Sequence, residues 1–139
     1  MTRREAREQA FCILFERSFQ NETIDEILHA AQEARDLIPS EYAETVALGV
    51  EEHQEQIDEL ITAKLKGWSL QRLSKVTASL LRLSVYEMLY VDDVPVGASI
   101  NEAVELAKTY GGKDDPAYLN GVLGAIASGL SKQPTEEQP

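Results

Sequence analysis

The segment from Lys75 to about Val91 carries apolar residues around almost the whole circumference of a helix. A helix on a protein surface is apolar along one side only, so a helix that is apolar nearly all round must be covered by neighbours. Ser74 is a suitable N-cap for this segment, and the turn DDVP at 92–95 ends it. The sequence therefore predicts a central, buried helix with other helices packed around it.

The remaining segments also predict helices, because their apolar residues recur every three or four positions and do not alternate as in a strand. Two of these helices begin with a capping box, at Thr23 and at Ser99, in which the hydroxyl and a glutamate three residues later each bind a free backbone N–H. The predicted helices cover about 3–19, a segment starting at Thr23, about 40–66 as one long helix, a short turn at 68–69, about 75–91, Ser99 to about 110, and a segment starting at Asp115.

Seven helices with short connections predict an all-α fold. The break at Gly67 divides them into two packed helical sub-bundles, about 1–67 and 68–130, of a single domain. Gly121 and Gly124 lie inside the last helix, where a glycine is unfavourable, so we expect close helix–helix approach or contact with a partner there. The polar residues 131–139 are expected to form a flexible tail.

The charge of the chain is segregated along its length. The net charge is −11, yet residues 64–82 hold five basic groups and no acidic group, and residues 1–17 hold four arginines against three glutamates. Residues 18–63 hold twelve acidic groups and one arginine. Because the local potential can differ in sign from the total charge, the composition does not exclude a nucleic-acid partner.

Catalytic chemistry has little support in the sequence. Cys12 is the only cysteine, which excludes a disulfide framework. His29 and His53 lie on different predicted helices, and His53 falls on an apolar stripe, as expected of a core or edge histidine. No glycine-rich phosphate loop, nucleophile elbow or HExxH motif occurs. We therefore expect a protein that is not an enzyme and has no cofactor.

Two further features limit the class of protein. The acidic residues of the long helix are expected to form a solvated face and not a metal site; they are Glu51, Glu52, Glu55, Asp58 and Glu59. No apolar run approaches the roughly 18 residues of a membrane span, and the charged N-terminus is unlike a signal peptide. These features favour the cytoplasm.

Two charged residues interrupt the central helix, at Arg82 and Glu87. A charge on a buried helix normally requires an oppositely charged partner. We therefore expect both residues to form structural ion pairs, and Glu102 or Glu105 is the expected partner of Arg82.

The first helix gathers arginines in an acidic chain. Arg3, Arg4 and Arg7 share the side of the helix that further along becomes the core, and Phe11 and Phe15 continue the same line. Cations at a helix N-terminus oppose the helix dipole, so helix stability does not explain them. Guanidinium groups beside aromatic rings suit single-stranded RNA, since phosphates pair with arginine and bases stack on rings. The alternative is that the arginines lie over the end of the bundle and the phenylalanines are plain core.

The C-terminal half carries several short motifs that are specific only in combination. They are Leu81-Arg82, Tyr86-Glu87, Asp93-Val94-Pro95, Ile100-Asn101-Glu102-Ala103, Glu105-Leu106-Ala107-Lys108 and Asn120-Gly121-Val122-Leu123. With these motifs the C-terminal half resembles the NusB family of bacterial transcription antitermination factors. The first helix, RREAREQAFCILFE, is similar to the arginine-bearing first helix of that family, and the resemblance covers about residues 3–130.

This resemblance implies a fold, an RNA ligand and protein partners. It implies binding to boxA RNA of ribosomal RNA operons, alongside NusE, which also serves in the small ribosomal subunit, and assembly with other Nus factors on RNA polymerase. The segment from the short turn to the sixth helix would contact NusE. The RNA-binding residues implied are Arg3, Arg4, Arg7, Phe15, Lys75 and Thr77, and the partner-binding residues are Arg72, Asp114 and Tyr118.

The sequence thus favours a transcription antitermination factor that binds boxA RNA together with NusE. The alternative is a protein–protein adaptor of the same fold that does not touch RNA. On the first interpretation we expect Arg3, Arg4 and Arg7 to contact phosphates with Lys75 close by in space, and we expect their replacement to leave stability nearly unchanged.

Overall fold

The computed structural model describes residues 1–20, 22–35 and 39–130. Within these ranges the chain forms helices and no β-strand, which confirms the predicted all-α fold. The predicted tail at 131–139 lies outside the described residues. The helices are α1 (Arg3–Arg17), α2 (Ile24–Arg35), α3 (Glu41–Glu52), α4 (Gln54–Thr62), a 3₁₀ turn (Leu70–Arg72), α5 (Lys75–Tyr90), α6 (Val96–Tyr110) and α7 (Asp115–Ser128).

Helix α5 is the centre of the fold, as its all-round apolar pattern predicts. It packs against α1, α3, α4, α6 and α7. Its side chains at Leu80, Leu81 and Val85 have no exposed surface. None of the helices in the described ranges is long and apolar enough to cross a membrane.

Local hydrogen bonds explain where several helices begin. Ser74 caps α5 by accepting the Thr77 N–H at 3.1 Å, and Thr23 and Glu26 form the predicted box before α2, with distances of 3.1 and 2.8 Å. The box that begins α1 was not predicted: Thr2 accepts from the Glu5 N–H at 3.0 Å, and Glu5 accepts from the Thr2 N–H at 2.8 Å. These bonds hold the pKa of Glu5 below its usual value.

The prediction of one long helix over 40–66 is wrong. A turn at His53 separates α3 from α4, and α4 ends at Thr62, well before Gly67. The backbone at His53 leaves the helical region, with φ −107° and ψ 19°, while its ring stacks on Tyr90 of α5 at a centroid distance of 4.3 Å. Gly67 instead forms a later turn, with a positive φ of 79° that favours glycine.

The predicted start of the sixth helix at Ser99 is also wrong. Helix α6 begins at Val96, with Pro95 at its N-cap. Ser99 lies inside the helix and is 1% exposed, and its hydroxyl donates to Glu87 at 2.7 Å. Ser99, which the sequence predicts as an N-cap, is therefore a buried hydrogen-bond donor.

The glycine that allows close helix packing is in α3 and not in α7. A Cβ atom at Gly49 would lie 2.3–2.4 Å from the ring of Tyr86, so only glycine fits between α3 and α5 without movement of that ring. At Gly121 and Gly124 a Cβ would meet no atom within 4 Å. The expected intramolecular close approach at these two positions is therefore wrong.

Truncation of the central helix should be costly. Leu80→Ala and Leu83→Ala remove side chains that are 0% and 1% exposed. Each should lower the free energy of unfolding by about 2–5 kcal/mol, because the variant loses burial and gains a cavity. Urea denaturation measures the change, and Gln71→Ala, at an exposed position, is the control. A change near zero in the free energy of unfolding for both variants would show that α5 is not part of the core.

Candidate nucleic-acid interface

Arg7 is part of a buried ion pair. Its side chain is 6% exposed, and its Nε donates to Glu87 at 2.7 Å. Glu87 has no exposed surface and also accepts hydrogen bonds from the hydroxyls of Tyr42 at 2.5 Å and Ser99 at 2.7 Å. Burial, together with the bond to this carboxylate, raises the pKa of Tyr42. These contacts join α1, α3, α5 and α6 around one carboxylate.

Arg3 and Arg4 lie at the surface, and each has an acidic partner. The Arg4 side chain is 67% exposed and holds Glu102 of α6 through two hydrogen bonds of 3.0 and 2.8 Å. The bond from Arg4 lowers the pKa of Glu102. The Arg3 guanidinium lies 4.1 Å from the centre of the Tyr42 ring and 3.5 Å from a carboxylate oxygen of Asp93.

Two expectations about charge pairing therefore need correction. Arg7 does not join Arg3 and Arg4 at the surface, because a turn further along α1 it faces the buried carboxylate of Glu87. Arg82 pairs with Asp58 of α4, at 2.9 and 3.1 Å, and not with a glutamate of α6. The expectation of structural ion pairs at both charged positions of α5 is confirmed.

An aromatic row runs along the second half of α1. Phe11 is 1% exposed and belongs to the core, Phe15 is half-buried, and Phe19 just beyond the helix is 61% exposed. The ring centroids lie 5.8 Å apart between Phe11 and Phe15, and 4.9 Å apart between Phe15 and Phe19. The row thus becomes more accessible toward the end of α1. Phe19 was not among the predicted site residues, although its spacing of four from Phe15 signals the shared side of the helix.

Lys75 lies at the opposite end of α1 from the arginine cluster. Its ammonium is 5.2 Å from the centre of the Phe19 ring. Arg7 contacts α5 at Glu87, which lies twelve residues after Lys75, or about 18 Å further along the helix. The expectation that Lys75 lies beside the arginines is therefore wrong, because α1 and α5 run antiparallel.

Thr77 is placed inward, and three partner-binding candidates lie together. The Thr77 side chain is 2% exposed, and within the described ranges its hydroxyl has no hydrogen-bond partner. It borders a surface pocket between the start of α5 and the start of α7. That pocket is also lined by Trp68, Arg72, Leu73, Ser74, Asp114, Asp115 and Tyr118. The structure thus brings Arg72, Asp114 and Tyr118 into one place. Their contact with a partner stays a prediction, as does RNA contact by the six proposed RNA-binding residues.

The expected solvated acidic face is only partly solvated. Glu51 accepts the backbone N–H of Ile24 at 3.0 Å and lies 3.7 Å from Arg17, while Asp58 holds Arg82. Glu52, Glu55 and Glu59 are exposed as predicted. In the described part of the chain, no group of three or more histidine, cysteine or acidic side chains is arranged to hold a metal ion.

Comparison with known protein sequences gives a consistent family assignment. The NusB family model matches residues 4–128. A transcription antitermination protein NusB of Geobacillus kaustophilus is 43% identical and covers 95% of this chain and all of its own length. A NusB of Carboxydothermus hydrogenoformans is also 43% identical, over 95% of this chain and 96% of its own.

Solved structures agree with the sequence comparison. A Thermotoga maritima NusB crystal structure superposes with a TM-score of 0.83 at 34% identity, covering 95% of this chain and 94% of that one. A chain in a crystal structure of the antitermination factors NusB and NusE with double-stranded RNA gives 0.80 at 29% identity, over 92% and 97%. The family model, the relatives and the solved structures thus each match nearly the whole chain, and the chain belongs to the NusB family.

Proposed function

We propose that this chain is a transcription antitermination factor that binds boxA RNA of ribosomal RNA operons together with NusE. In this role it helps to assemble the antitermination complex, with other Nus factors, on RNA polymerase. It acts by binding and not by catalysis. The observation that carries the proposal is the likeness, over 92% of the chain, to a structure in which NusB and NusE are present with RNA.

The surface of α1 supports RNA binding. Exposed guanidinium groups at Arg3 and Arg4 lie at one end, and the rings of Phe15 and Phe19 lie at the other. A helix of 15 residues separates these ends by about 22 Å, so a single strand that follows α1 meets cations first and aromatic rings next. Both are ligands that unpaired RNA uses.

Isothermal titration with boxA RNA, with and without NusE, tests the proposal. We expect the NusE complex to bind the RNA more tightly than this chain alone, and we expect an RNA of scrambled sequence to bind weakly. The chain and NusE should form a one-to-one complex without RNA. Absence of boxA binding by that complex would contradict RNA recognition.

The second candidate function is a protein–protein adaptor that does not touch RNA. One observation favours it: Arg3, Arg4 and Arg7 each lie within 3.5 Å of a carboxylate oxygen of the chain itself. A phosphate at either exposed arginine would therefore compete with Asp93 or Glu102 for the guanidinium group. The same titration separates the two functions, because the adaptor binds NusE and gives no heat with RNA.

We expect NusE to contact the pocket between α5 and α7 and not the acidic surface. Arg72→Glu or Tyr118→Ala should weaken NusE binding roughly tenfold, since each changes a large side chain that lines the pocket. Glu52→Lys with Glu55→Lys, at exposed positions of α3 and α4, should leave the affinity unchanged. Titration of each variant with NusE measures the difference, and loss of binding in the acidic-surface variant would place the interface there.

A further inference from the structure

The exposed guanidinium of Arg3 lies on an aromatic ring that another helix provides. Its central carbon is over the ring of Tyr42 of α3, 4.1 Å from the ring centre. A cation at this distance from an aromatic face is attracted to the electrons of the ring. Arg4, one residue further along, is held instead by two hydrogen bonds to Glu102. The two exposed arginines of α1 therefore differ in what holds them.

The Tyr42 side chain is itself fixed at its hydroxyl end. The hydroxyl donates to Glu87 at 2.5 Å, and this carboxylate has no exposed surface. Glu87 also accepts hydrogen bonds from Arg7 and Ser99, so α1 and α6 hold it in place. Burial and the bond to Glu87 raise the pKa of Tyr42, which keeps the hydroxyl a donor at neutral pH. The ring is thus tied to the core of the bundle while one of its faces carries Arg3.

Contact with a ring leaves the hydrogen-bonding groups of an arginine available. The five N–H donors of a guanidinium point outward in its plane, whereas stacking on an aromatic ring uses the face of that plane. One donor of Arg3, at Nη2, lies 3.5 Å from Asp93, whose side chain is 73% exposed. A phosphate therefore competes with Asp93 for the donors of Arg3, but it does not compete with the Tyr42 ring.

We propose that Tyr42 is a positioning residue for RNA binding, whose ring holds the Arg3 guanidinium ready for a phosphate. A mobile arginine side chain loses rotamer freedom when it binds a ligand, and ordering it beforehand removes part of that cost. The inference rests on the proposed function, in which Arg3 contacts RNA. It gives α3, which carries none of the predicted RNA-binding residues, a role in that function.

Two variants separate the Tyr42 ring from its hydroxyl. Tyr42→Phe and Tyr42→Leu both lose the hydrogen bond to Glu87, so both should have a lower melting temperature than the wild type. Only Tyr42→Leu also loses the ring beneath Arg3. It should weaken boxA binding by the NusE complex about two- to fivefold, the factor expected for one exposed cation–π contact. Tyr42→Phe should bind boxA RNA as the wild type does.

Fluorescence anisotropy with labelled boxA RNA, below the melting temperature of every variant, measures these affinities. The matched control is Tyr90→Leu. Tyr90 is also partly exposed, at 40%, but its ring stacks on His53. This control should leave the RNA affinity unchanged. Equal losses in Tyr42→Phe and Tyr42→Leu would overturn the proposal, because the ring would then have no part in the effect.

A double-mutant cycle with Arg3 separates positioning from a general effect on the fold. In an Arg3→Gln background, Tyr42→Leu should cause no further loss of RNA affinity, because the ring then has no guanidinium to hold. A purely structural tyrosine would instead weaken RNA binding by the same factor in both backgrounds. That result would overturn the proposal.

Nuclear magnetic resonance of the protein without RNA tests the contact itself. The Tyr42 ring should shift the side-chain proton signals of Arg3 upfield, and Tyr42→Leu should remove this shift while Tyr42→Phe keeps it. Absence of the shift in the wild type would overturn the proposal. If the wild-type complex does not bind boxA RNA, the proposed function fails and the positioning role fails with it. If it binds and Tyr42→Leu keeps the wild-type affinity, the positioning role alone is overturned.

Discussion

Glu87→Ala should lower the free energy of unfolding by about 3–5 kcal/mol, the usual cost of removing one member of a buried ion pair. The carboxylate has no exposed surface and accepts bonds from Arg7, Tyr42 and Ser99, which belong to three other helices. Without it, the Arg7 guanidinium stays buried with only the more distant Glu102, at 3.7 Å. Urea denaturation followed by circular dichroism measures the loss.

Arg7→Ala should give a loss of the same order, because it leaves the carboxylate without its cation. The control replaces both partners. Arg7→Met with Glu87→Met should recover much of the stability lost in the single variants, because no unpaired charge is then left buried. Arg4→Ala is the surface comparison, and its effect should be much smaller because the Arg4 side chain is largely exposed. A loss below about 1 kcal/mol for both single variants would show that the pair is not part of the core.

This prediction revises an expectation drawn from the sequence alone. Arg7 lies on the same side of the helix as Arg3 and Arg4, so the sequence pattern predicts the same surface role for all three arginines. Their difference arises from Glu87, eighty residues away from Arg7, which only the packing of α1 on α5 brings into contact. We therefore expect a triple arginine variant to lose stability as well as RNA binding, and we keep Arg7 intact in tests of RNA contact.

The parts of the fold that depend on local chemistry could be predicted. The burial of α5 follows from its all-round apolar composition, and the caps at Thr23 and Ser74 follow from hydroxyl groups placed before helical segments. These features need only a few neighbouring residues, so they are visible in the sequence.

The features that were missed depend on distant partners. The break at His53 places its ring on Tyr90, and the close approach at Gly49 requires the ring of Tyr86. Likewise, Arg82 finds its carboxylate in α4 because α4 packs beside α5, although glutamates of α6 fit the sequence equally well. For the same reason, the antiparallel arrangement of α1 and α5 separates Lys75 from the arginines.

Arg3→Gln with Arg4→Gln should lower the salt slope of boxA binding by the NusE complex by about 1.4, at about 0.7 for each phosphate contact. Between 50 and 200 mM salt, that difference alone changes the relative affinity about sevenfold. The two side chains reach solvent at the start of α1, where a phosphate can compete with the carboxylate that each arginine contacts. Fluorescence anisotropy with labelled boxA RNA, repeated across salt concentrations, gives the slope.

Competition between Glu102 and a phosphate for Arg4 predicts that a second variant, Glu102→Gln, binds RNA more tightly. Glu102→Gln removes the charge that holds Arg4 through two hydrogen bonds, while an amide of nearly the same shape stays in place. If a phosphate competes with Glu102 for Arg4, this variant should bind boxA RNA more tightly than the wild type, and the added Arg4→Gln change should abolish the gain. An unchanged slope in the double arginine variant, together with unchanged affinity in Glu102→Gln, would mean that both arginines serve only their intramolecular partners, Asp93 for Arg3 and Glu102 for Arg4, and would favour the adaptor function.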